Sequence, residues 1–303
     1  MSIEVKNIIK MYGEQRALND VTFNVSASEV VGFLGPNGAG KSTMMKILTC
    51  FIPQTTGTAT VCGFDVQEES LAVRKNVGYL PENNPLYAEM YIKEYLEFIA
   101  GLHGLKNTKQ RINEMIEITG LQKEKNKKIG ALSKGYKQRV GLAQAMIHDP
   151  KVLILDEPTT GLDPNQLVEI RKLIIEIGKQ KTVLLSTHIM QEVEAICNRV
   201  IIINDGEIVA NETTAVLQNS QSQNVQLITV EFDKATSFNA LKSLPHFYNA
   251  ANIKDNVWQI EAHTNEDIRG AIFQYAVNNG LAVLTLHKED KRLEDVFKQL
   301  TKK

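Results

Sequence analysis

The feature that most constrains the fold of this chain is the loop from Gly35 to Thr43, which reads Gly-Pro-Asn-Gly-Ala-Gly-Lys-Ser-Thr. The apolar run Val30–Leu34 before it predicts a buried strand, and Lys41–Cys50 after it predicts a helix. Glycines allow the backbone to curl until many N–H groups point into one concavity, and the helix N-terminus adds partial positive charge there. The pattern therefore predicts an α/β fold with a site for a nucleoside triphosphate.

Individual positions in this loop have separate expected roles. The stretch Gly35–Ser42 fits G-x-x-x-x-G-K-[ST], in which Lys41 reaches the β- and γ-phosphates and the Ser42 hydroxyl ligates Mg²⁺. A glycine-rich turn with no ligand is the structural alternative. We expect the whole loop to contact the nucleotide, through Gly35, Pro36, Asn37, Gly38, Ala39, Gly40, Lys41, Ser42 and Thr43.

A second cluster supplies the carboxylates that such a loop requires. The apolar run Val152–Leu155 predicts a buried strand, and Asp156 and Glu157 follow at its carboxyl end, where ligands bind in parallel α/β sheets. We expect Asp156 to hold the Mg²⁺ shell. Glu157 is then placed to polarise a water for in-line attack on the γ-phosphate.

Composition limits the classes of function. The chain has 303 residues and a formal net charge of −1, which argues against a nucleic-acid partner. No apolar stretch is long enough to span a membrane, and the first residues show no secretory signal. Its three cysteines, which have no metal-like spacing, indicate reduced thiols and a cytoplasmic protein.

The pattern along the chain predicts two domains. Residues 1–218 alternate strand-like and helix-like segments, 219–225 form a polar linker, and 226–303 form a small α+β domain of ferredoxin-like β-α-β-β-α-β order with a final helix. In the first domain the predicted strands are Ile3–Ile9, Val21–Val25, Val30–Leu34, Ala59–Cys62, Val77–Leu80, Val152–Leu155, Thr182–Ser186, Val200–Asn204 and Glu207–Ala210. The further predicted helices are Ile92–His103, Lys109–Thr119, Lys137–Ile147, Gln166–Lys179 and Met190–Cys197, with Thr108 and Asp163 as N-caps. In the second domain the strands are Gln226–Phe232, Tyr248–Asn252, Val257–Ala262 and Leu281–Leu286, and the helices are Ser237–Leu244, Asn265–Asn278 and Arg292–Leu300.

Between the loop and the carboxylate pair lies Leu132-Ser133-Lys134-Gly135-Tyr136, followed by a helix. This stretch resembles the signature motif of the ATP-binding cassette (ABC) ATPases, and the resemblance covers residues of about 1–218. It implies an ABC-type fold with a helical subdomain at about residues 85–150. It also implies a homodimer or heterodimer in which Ser133 and Gly135 of one subunit face the γ-phosphate bound by the other.

Other positions match the same family. Tyr12 lies where the family stacks an aromatic ring on adenine, and His188 corresponds to the switch histidine that contacts the γ-phosphate. Gly161-Leu162-Asp163 resembles the loop that links the two sites across the dimer. A purely structural role is the alternative for both Tyr12 and His188.

Three positions depart from the usual family pattern. Lys134 replaces the second signature glycine, Tyr136 replaces the final glutamine, and Glu82 replaces the glutamine that senses the γ-phosphate and Mg²⁺. Because a carboxylate near a triphosphate is repelled unless it points at the metal, we expect Glu82 to act through Mg²⁺-bound water.

Two longer strings narrow the resemblance to a type of transporter. Tyr79-Leu80-Pro81-Glu82 is similar to the ABC-2 exporters. Gly78–Tyr87 and residues 132–145, together with the C-terminal pattern Leu293–Phe297, resemble the ATP-binding subunits associated with bacterial gliding motility. The resemblance implies an ATPase at the inner face of the cell membrane that drives a separately encoded integral membrane permease. The alternatives are a soluble ABC ATPase acting on ribosomes or nucleic acid and a regulatory module whose ATPase is idle.

Overall fold

The structure is a computed structural model that describes residues 1–220, 226–264 and 266–289 and the single positions 297 and 301. The chain divides into two units, of which the first comprises residues 1–214 and the second begins at residue 215. Among the described residues, no helix combines the length and apolarity needed to cross a membrane.

The first unit contains ten strands and seven helices within its described residues. The strands are β1 (Ile3–Tyr12), β2 (Gln15–Val25), β3 (Val30–Leu34), β4 (Thr56–Val61), β5 (Phe64–Asp65), β6 (Val77–Leu80), β7 (Val152–Asp156), β8 (Thr182–Thr187), β9 (Arg199–Asn204) and β10 (Glu207–Thr213). The helices are α1 (Lys41–Leu48), α2 (Ser70–Asn76), α3 (Ile92–Leu102), α4 (Thr108–Ile118), α5 (Lys134–Met146), α6 (Pro164–Gly178) and α7 (Met190–Ile196).

The central sheet explains the uninterrupted apolar runs of the sequence. Its strand order is β10-β9-β3-β8-β7-β6, and all neighbours except β10 and β9 are parallel. Every residue of β3, β7 and β8 is buried. Because parallel strands point their carboxyl ends to one edge, the segments that follow β3, β7 and β8 meet there.

A smaller antiparallel sheet of order β2-β1-β4-β5 encloses the core on one side. Apolar side chains from both sheets and from α1 form a single cluster, in which the rings of Phe23 and Phe33 lie 5.5 Å apart. Met44, Met45 and Leu48 of α1 are fully buried in this cluster. Helix α1 is therefore fixed by packing along its length, and its N-terminus holds a constant position at the sheet edge.

Helices α3, α4 and α5 lie between β6 and β7 in the chain, with a short 3₁₀ turn at Ile129–Ala131 before α5. Helix α5 packs closely on β6. A Cβ atom built on Gly78 would lie 2.0 Å from the carbonyl oxygen of Ala145, so only glycine permits this approach.

The second unit has the element order predicted from the sequence. Helix α8 (Thr214–Ser220) starts at the last residue of the first unit. The second unit continues as β11 (Gln226–Phe232), α9 (Phe238–Leu241), β12 (Phe247–Lys254), β13 (Val257–Ala262), α10 (Arg269–Asn278) and β14 (Val283–Glu289). All paired strands are antiparallel in the order β12-β13-β11-β14, which confirms the ferredoxin-like β-α-β-β-α-β prediction. The predicted final helix Arg292–Leu300 falls outside the described residues except at position 297.

Several predicted boundaries were wrong at one end. Strand β2 begins at Gln15 rather than Val21, because its first half pairs with the end of β1 although it lacks an apolar alternation. Thr108 is the first residue of α4, and Asn107, with a φ of 61°, occupies the N-cap instead.

Helix α5 begins at Lys134 rather than Lys137, because Ser133 caps it one turn before the apolar periodicity starts. Asp163 is confirmed as the N-cap of α6, since its side chain accepts hydrogen bonds from two backbone N–H groups. The sequence pattern also missed α2 and β5, and α8 extends over the first two positions of the predicted linker.

Candidate active site

A cavity of about 620 Å³ lies at the edge of the central sheet where β3, β7 and β8 end. Residues that the sequence singled out form most of its wall. They are Tyr12, Asn37, Gly38, Gly40, Lys41, Ser42, Thr43, Glu82, Glu157 and His188, and Gln15, Ala17 and Thr160 complete the lining. The fold thus brings together residues that are far apart in sequence.

Two glycines give the phosphate loop its shape. Gly38 and Gly40 adopt φ values of 83° and 107°, which favour glycine over residues with a side chain. A Cβ atom on Gly40 would lie 2.7 Å from the carbonyl oxygen of Ala17, and one on Gly35 would lie 2.4 Å from that of Ile203. The loop can therefore pass close to the neighbouring strands only with glycine at these positions.

Lys41 is held inside the loop with its ammonium directed at the cavity. Its Nζ donates hydrogen bonds to the carbonyl oxygens of Gly35 at 2.8 Å and Pro36 at 3.1 Å, and lies 3.9 Å from Glu157 Oε1. Burial lowers the pKa of Lys41, and the neighbouring carboxylates, Glu157 foremost, oppose that shift. A buried ammonium at the wall of the cavity is suited to bind an anionic phosphate.

Ser42 and Asp156 bring two side-chain oxygens together at the carboxyl end of β7. Ser42 Oγ donates to Asp156 Oδ1 at 3.3 Å, and the Ser186 hydroxyl donates to the same carboxylate oxygen. Asp156 is 2% exposed, so its orientation is fixed. A hydroxyl beside a carboxylate is a hard oxygen set that fits Mg²⁺, as the sequence predicts.

Glu157 follows Asp156 in a left-handed conformation, with a φ of 51°. Its carboxylate oxygens lie 2.9 and 3.0 Å from His188 Nδ1, and Thr160 Oγ1 donates to it at 3.0 Å. Its backbone N–H donates to the carbonyl oxygen and to the hydroxyl oxygen of Ser186. A left-handed backbone at a non-glycine residue is costly, and here it turns the carboxylate into the cavity beside the imidazole.

Ser133 and Gly135 do not line this cavity. Ser133 is exposed and caps α5, and its Oγ accepts a hydrogen bond from the Gln166 amide at 3.4 Å. Gly135 is buried under the same glutamine, because a Cβ atom there would lie 2.5 Å from the Gln166 side chain. The signature motif is therefore a preformed helix N-terminus that is separate from the phosphate loop of its own chain.

Tyr12 and Glu82 lie at the rim of the cavity. The Tyr12 ring is half exposed and Lys10 Nζ lies 5.1 Å from its centroid, so one face of the ring is opposed by a cation. Glu82 is exposed, and it lies close enough to Lys41 to influence its pKa.

Sequence reasoning missed the residues that support the predicted ones. Ser186 contacts both Asp156 and Glu157, and Thr160 contacts Glu157. Ser186 is the penultimate residue of β8, two positions before His188, and Thr160 lies three positions after Glu157. Hydroxyl side chains close in sequence to predicted site residues were the available signal.

Comparison with known proteins agrees with this geometry. The sequence pattern of the family described as ABC transporter matches residues 18–160. An uncharacterized ABC transporter ATP-binding protein, YxlF of Bacillus subtilis, is 35% identical over 97% of this chain and 98% of the relative. The bacitracin transport ATP-binding protein BcrA of Bacillus licheniformis is 32% identical over 98% and 96%, and the linearmycin resistance ATP-binding protein LnrL of Bacillus subtilis is 31% identical over 99% and 98%.

A solved structure of the ATP-binding cassette MJ0796, a dimer in a post-hydrolysis state bound to ADP and Pi, also resembles the chain. It superimposes with a TM-score of 0.64 at 27% identity, over 70% of this chain and 98% of the other.

Phosphate loop, carboxylate pair and signature helix together define an ATP-hydrolysing cassette of mixed α/β fold. The chain belongs to the ABC transporter ATP-binding proteins, whose cassettes form dimers and work with membrane permeases. Its relatives include ATP-binding proteins of antibiotic transport and antibiotic resistance.

Proposed function

We propose that this chain is the ATPase subunit of an exporter, with Glu157 as the general base for hydrolysis. The observation that carries the proposal is the contact of the Glu157 carboxylate with His188 at 2.9 Å, inside the cavity that Lys41 lines. A water beside Glu157 would lose its proton to the carboxylate as it attacks the γ-phosphate. His188 would hold the γ-phosphate on the other side.

The other site residues divide the binding of ATP and Mg²⁺ among them. Lys41 neutralises the β- and γ-phosphates, while the loop N–H groups bind their oxygens. Ser42 and Asp156 would hold Mg²⁺, which supplies charge neutralisation at the phosphates, and Glu82 would accept a hydrogen bond from its water. Tyr12 would stack its free face on the adenine.

Ser133 and Gly135 complete the site of a second subunit in this proposal. The N-terminus of α5 is capped and exposed, yet it stands outside the cavity of its own chain. In a dimer of cassettes, it would present its N–H groups to the γ-phosphate bound by the partner. Homodimer and heterodimer are both compatible with this arrangement.

In this proposal, the permease binds an apolar groove beside the Glu82 loop. It encloses about 530 Å³ between β6, α3 and α5, and its lining includes Phe51, Tyr79, Leu102 and His148. Phe51 is 70% exposed. Burial and the stacked ring of His103 lower the pKa of His148 to about 4, so this part of the wall is uncharged near neutral pH. An apolar segment of the permease on the cytoplasmic side of the membrane would fit this groove.

The permease assignment is tested by ATP turnover in the presence of a candidate permease. We expect coexpression with a membrane protein encoded beside this gene to raise the ATPase rate, and Phe51→Glu to abolish that stimulation without lowering the basal rate. Leu71→Glu is the matched control, since Leu71 is 74% exposed on α2 and lies outside the groove. Equal stimulation of the wild type and Phe51→Glu would rule out this groove as the permease site.

Two narrower expectations rest on sequence alone. The link to gliding motility depends on the strings at Gly78–Tyr87, residues 132–145 and Leu293–Phe297, and it stays a prediction. A soluble ABC ATPase acting on ribosomes or nucleic acid is less well supported, because the net charge is −1 and the relatives include transport proteins. The exporter assignment draws on the resistance and transport relatives.

A further inference from the structure

A buried carboxyl group lies behind Glu157 and His188, the two residues that we propose face the γ-phosphate. Glu192, in the first turn of α7, is 0% exposed. Its Oε2 accepts a hydrogen bond from Thr159 Oγ1 and a second from Thr187 Oγ1 at 3.2 Å. Both hydroxyls donate to the same carboxyl oxygen.

The two threonines flank the proposed catalytic contact. Thr159 follows Glu157 in the loop after β7, and Thr187 immediately precedes His188 at the end of β8. Thr187 Oγ1 also accepts a hydrogen bond from the Ile189 N–H at 3.0 Å, which orients the backbone on the other side of His188. A single oxygen of Glu192 thus joins the segment that carries Glu157 to the segment that carries His188.

Stability alone does not account for a carboxyl group at this position. Burial raises the pKa of Glu192, and the two threonine hydrogen bonds oppose that effect. Its second oxygen, Oε1, has no hydrogen-bond partner among the described residues. Replacing a buried ionisable group by an apolar side chain of similar volume is often neutral or stabilising, so its presence points to a role in geometry.

We propose that Glu192 is a positioning residue that fixes Glu157 relative to His188 by binding Thr159 and Thr187 through one oxygen. This inference rests on the proposed function of Glu157. Glu192 would be remote from ATP and would act only through the two loops. Its loss should therefore reduce the rate of hydrolysis far more than the affinity for ATP.

Because Glu192 accepts both hydrogen bonds through one oxygen, its amide variant and its alanine variant should behave differently. In Glu192→Gln the amide oxygen can replace Oε2 and keep both hydrogen bonds, while the NH₂ group takes the place of the unpartnered Oε1. We expect Glu192→Gln to keep kcat within about threefold of wild type, and Glu192→Ala to lose roughly tenfold or more with an ATP Kd changed by less than about threefold. Thr159→Val, which removes one donor at constant volume, should fall between them.

The measurements are steady-state ATP hydrolysis by the full chain, calorimetric titration of ATP, and the thermal unfolding midpoint. Glu194→Ala is the control on the same helix, because Glu194 is exposed. In a Glu157→Gln background, Thr159→Val should cause no further loss of single-turnover rate, since its effect passes through Glu157.

Three results would overturn the role of Glu192: an unchanged kcat in Glu192→Ala, an equal loss in Glu192→Gln and Glu192→Ala, or a loss of ATP binding that matches the loss of kcat. Wild-type turnover is measured first in the same preparation. Its absence would count against the proposed function itself, which separates the two failures.

Discussion

At the scale of single residues, the left-handed turn at Glu157 fixes where its carboxylate lies. With a φ of 51° and hydrogen bonds from Thr160 and His188, its carboxylate has one orientation in the cavity. If Glu157 is the general base, as we propose, replacing its carboxylate by an amide removes the base and keeps the shape of the side chain. Under that proposal Glu157 serves ATP cleavage rather than ATP binding, so a substitution there tests the two separately.

Glu157→Gln should lower kcat for ATP hydrolysis by at least about 100-fold, the range that a general base contributes. Binding of ATP should be preserved, and the closed dimer should accumulate because cleavage no longer opens it. Turnover assays and size-exclusion chromatography with ATP would measure both effects. A variant that hydrolyses ATP at the wild-type rate would show that another group activates the water.

At the scale of elements, the site depends on how closely helices approach the strands that carry it. Helix α5, which begins at the signature motif, packs on β6, and the Glu82 loop follows β6 directly. Gly78 permits that contact, since any Cβ atom would clash with the Ala145 carbonyl at 2.0 Å and with Leu153 Cδ2 at 2.6 Å. Displacement of α5 would move both the signature motif and the Glu82 loop.

Gly78→Ala should destabilise the protein by about 2 kcal/mol or more, because a backbone carbonyl cannot yield as a flexible side chain can. Gly101→Ala on α3 is the matched control, since no atom lies within 4 Å of the added methyl group. That substitution should raise stability by about 0.5 to 1 kcal/mol through helix propensity. Chemical denaturation of both variants would measure the difference, and equal midpoints would contradict this account of the packing.

At the scale of the whole molecule, the phosphate loop and the signature motif of one chain lie at separate places on the cassette. The phosphate loop lines the cavity, whereas Ser133 is exposed at the N-terminus of α5 outside it. If two chains assemble with the signature motif of one against the phosphate loop of the other, Lys41 and Ser133 of a single site belong to different chains.

Mixing two inactive variants should therefore restore activity. Lys41→Ala and Ser133→Arg each damage both sites of their own dimer, but a mixed dimer contains one site with neither change. Random exchange should return roughly a quarter of wild-type activity in a homodimer with independent sites, since half of the dimers are mixed. The ATPase activity recovered on titrating one variant into the other would measure this complementation. No recovery after confirmed subunit exchange would indicate a site formed within one chain.

The amino-acid sequence was enough to predict the α/β fold class, and it named most of the residues that line the cavity. The loop Gly35–Thr43 requires glycine backbone angles whatever surrounds it, and the buried runs before Gly35 and Asp156 are long and apolar enough to specify strands of a parallel sheet. Local chemistry and a fixed spacing were sufficient in both cases. The β-α-β-β-α-β order of the second unit was likewise predicted from local patterns along the chain.

The contacts between side chains from distant parts of the sequence became visible only in the folded chain. Strand order places β8 beside β7, so Ser186 reaches Asp156 and His188 reaches Glu157 across the sheet edge. Buried Glu192 joins the same two segments through Thr159 and Thr187, and no local pattern marks it, because its partners come from other elements. Hydrogen bonds between distant segments depend on topology, which periodicity does not encode.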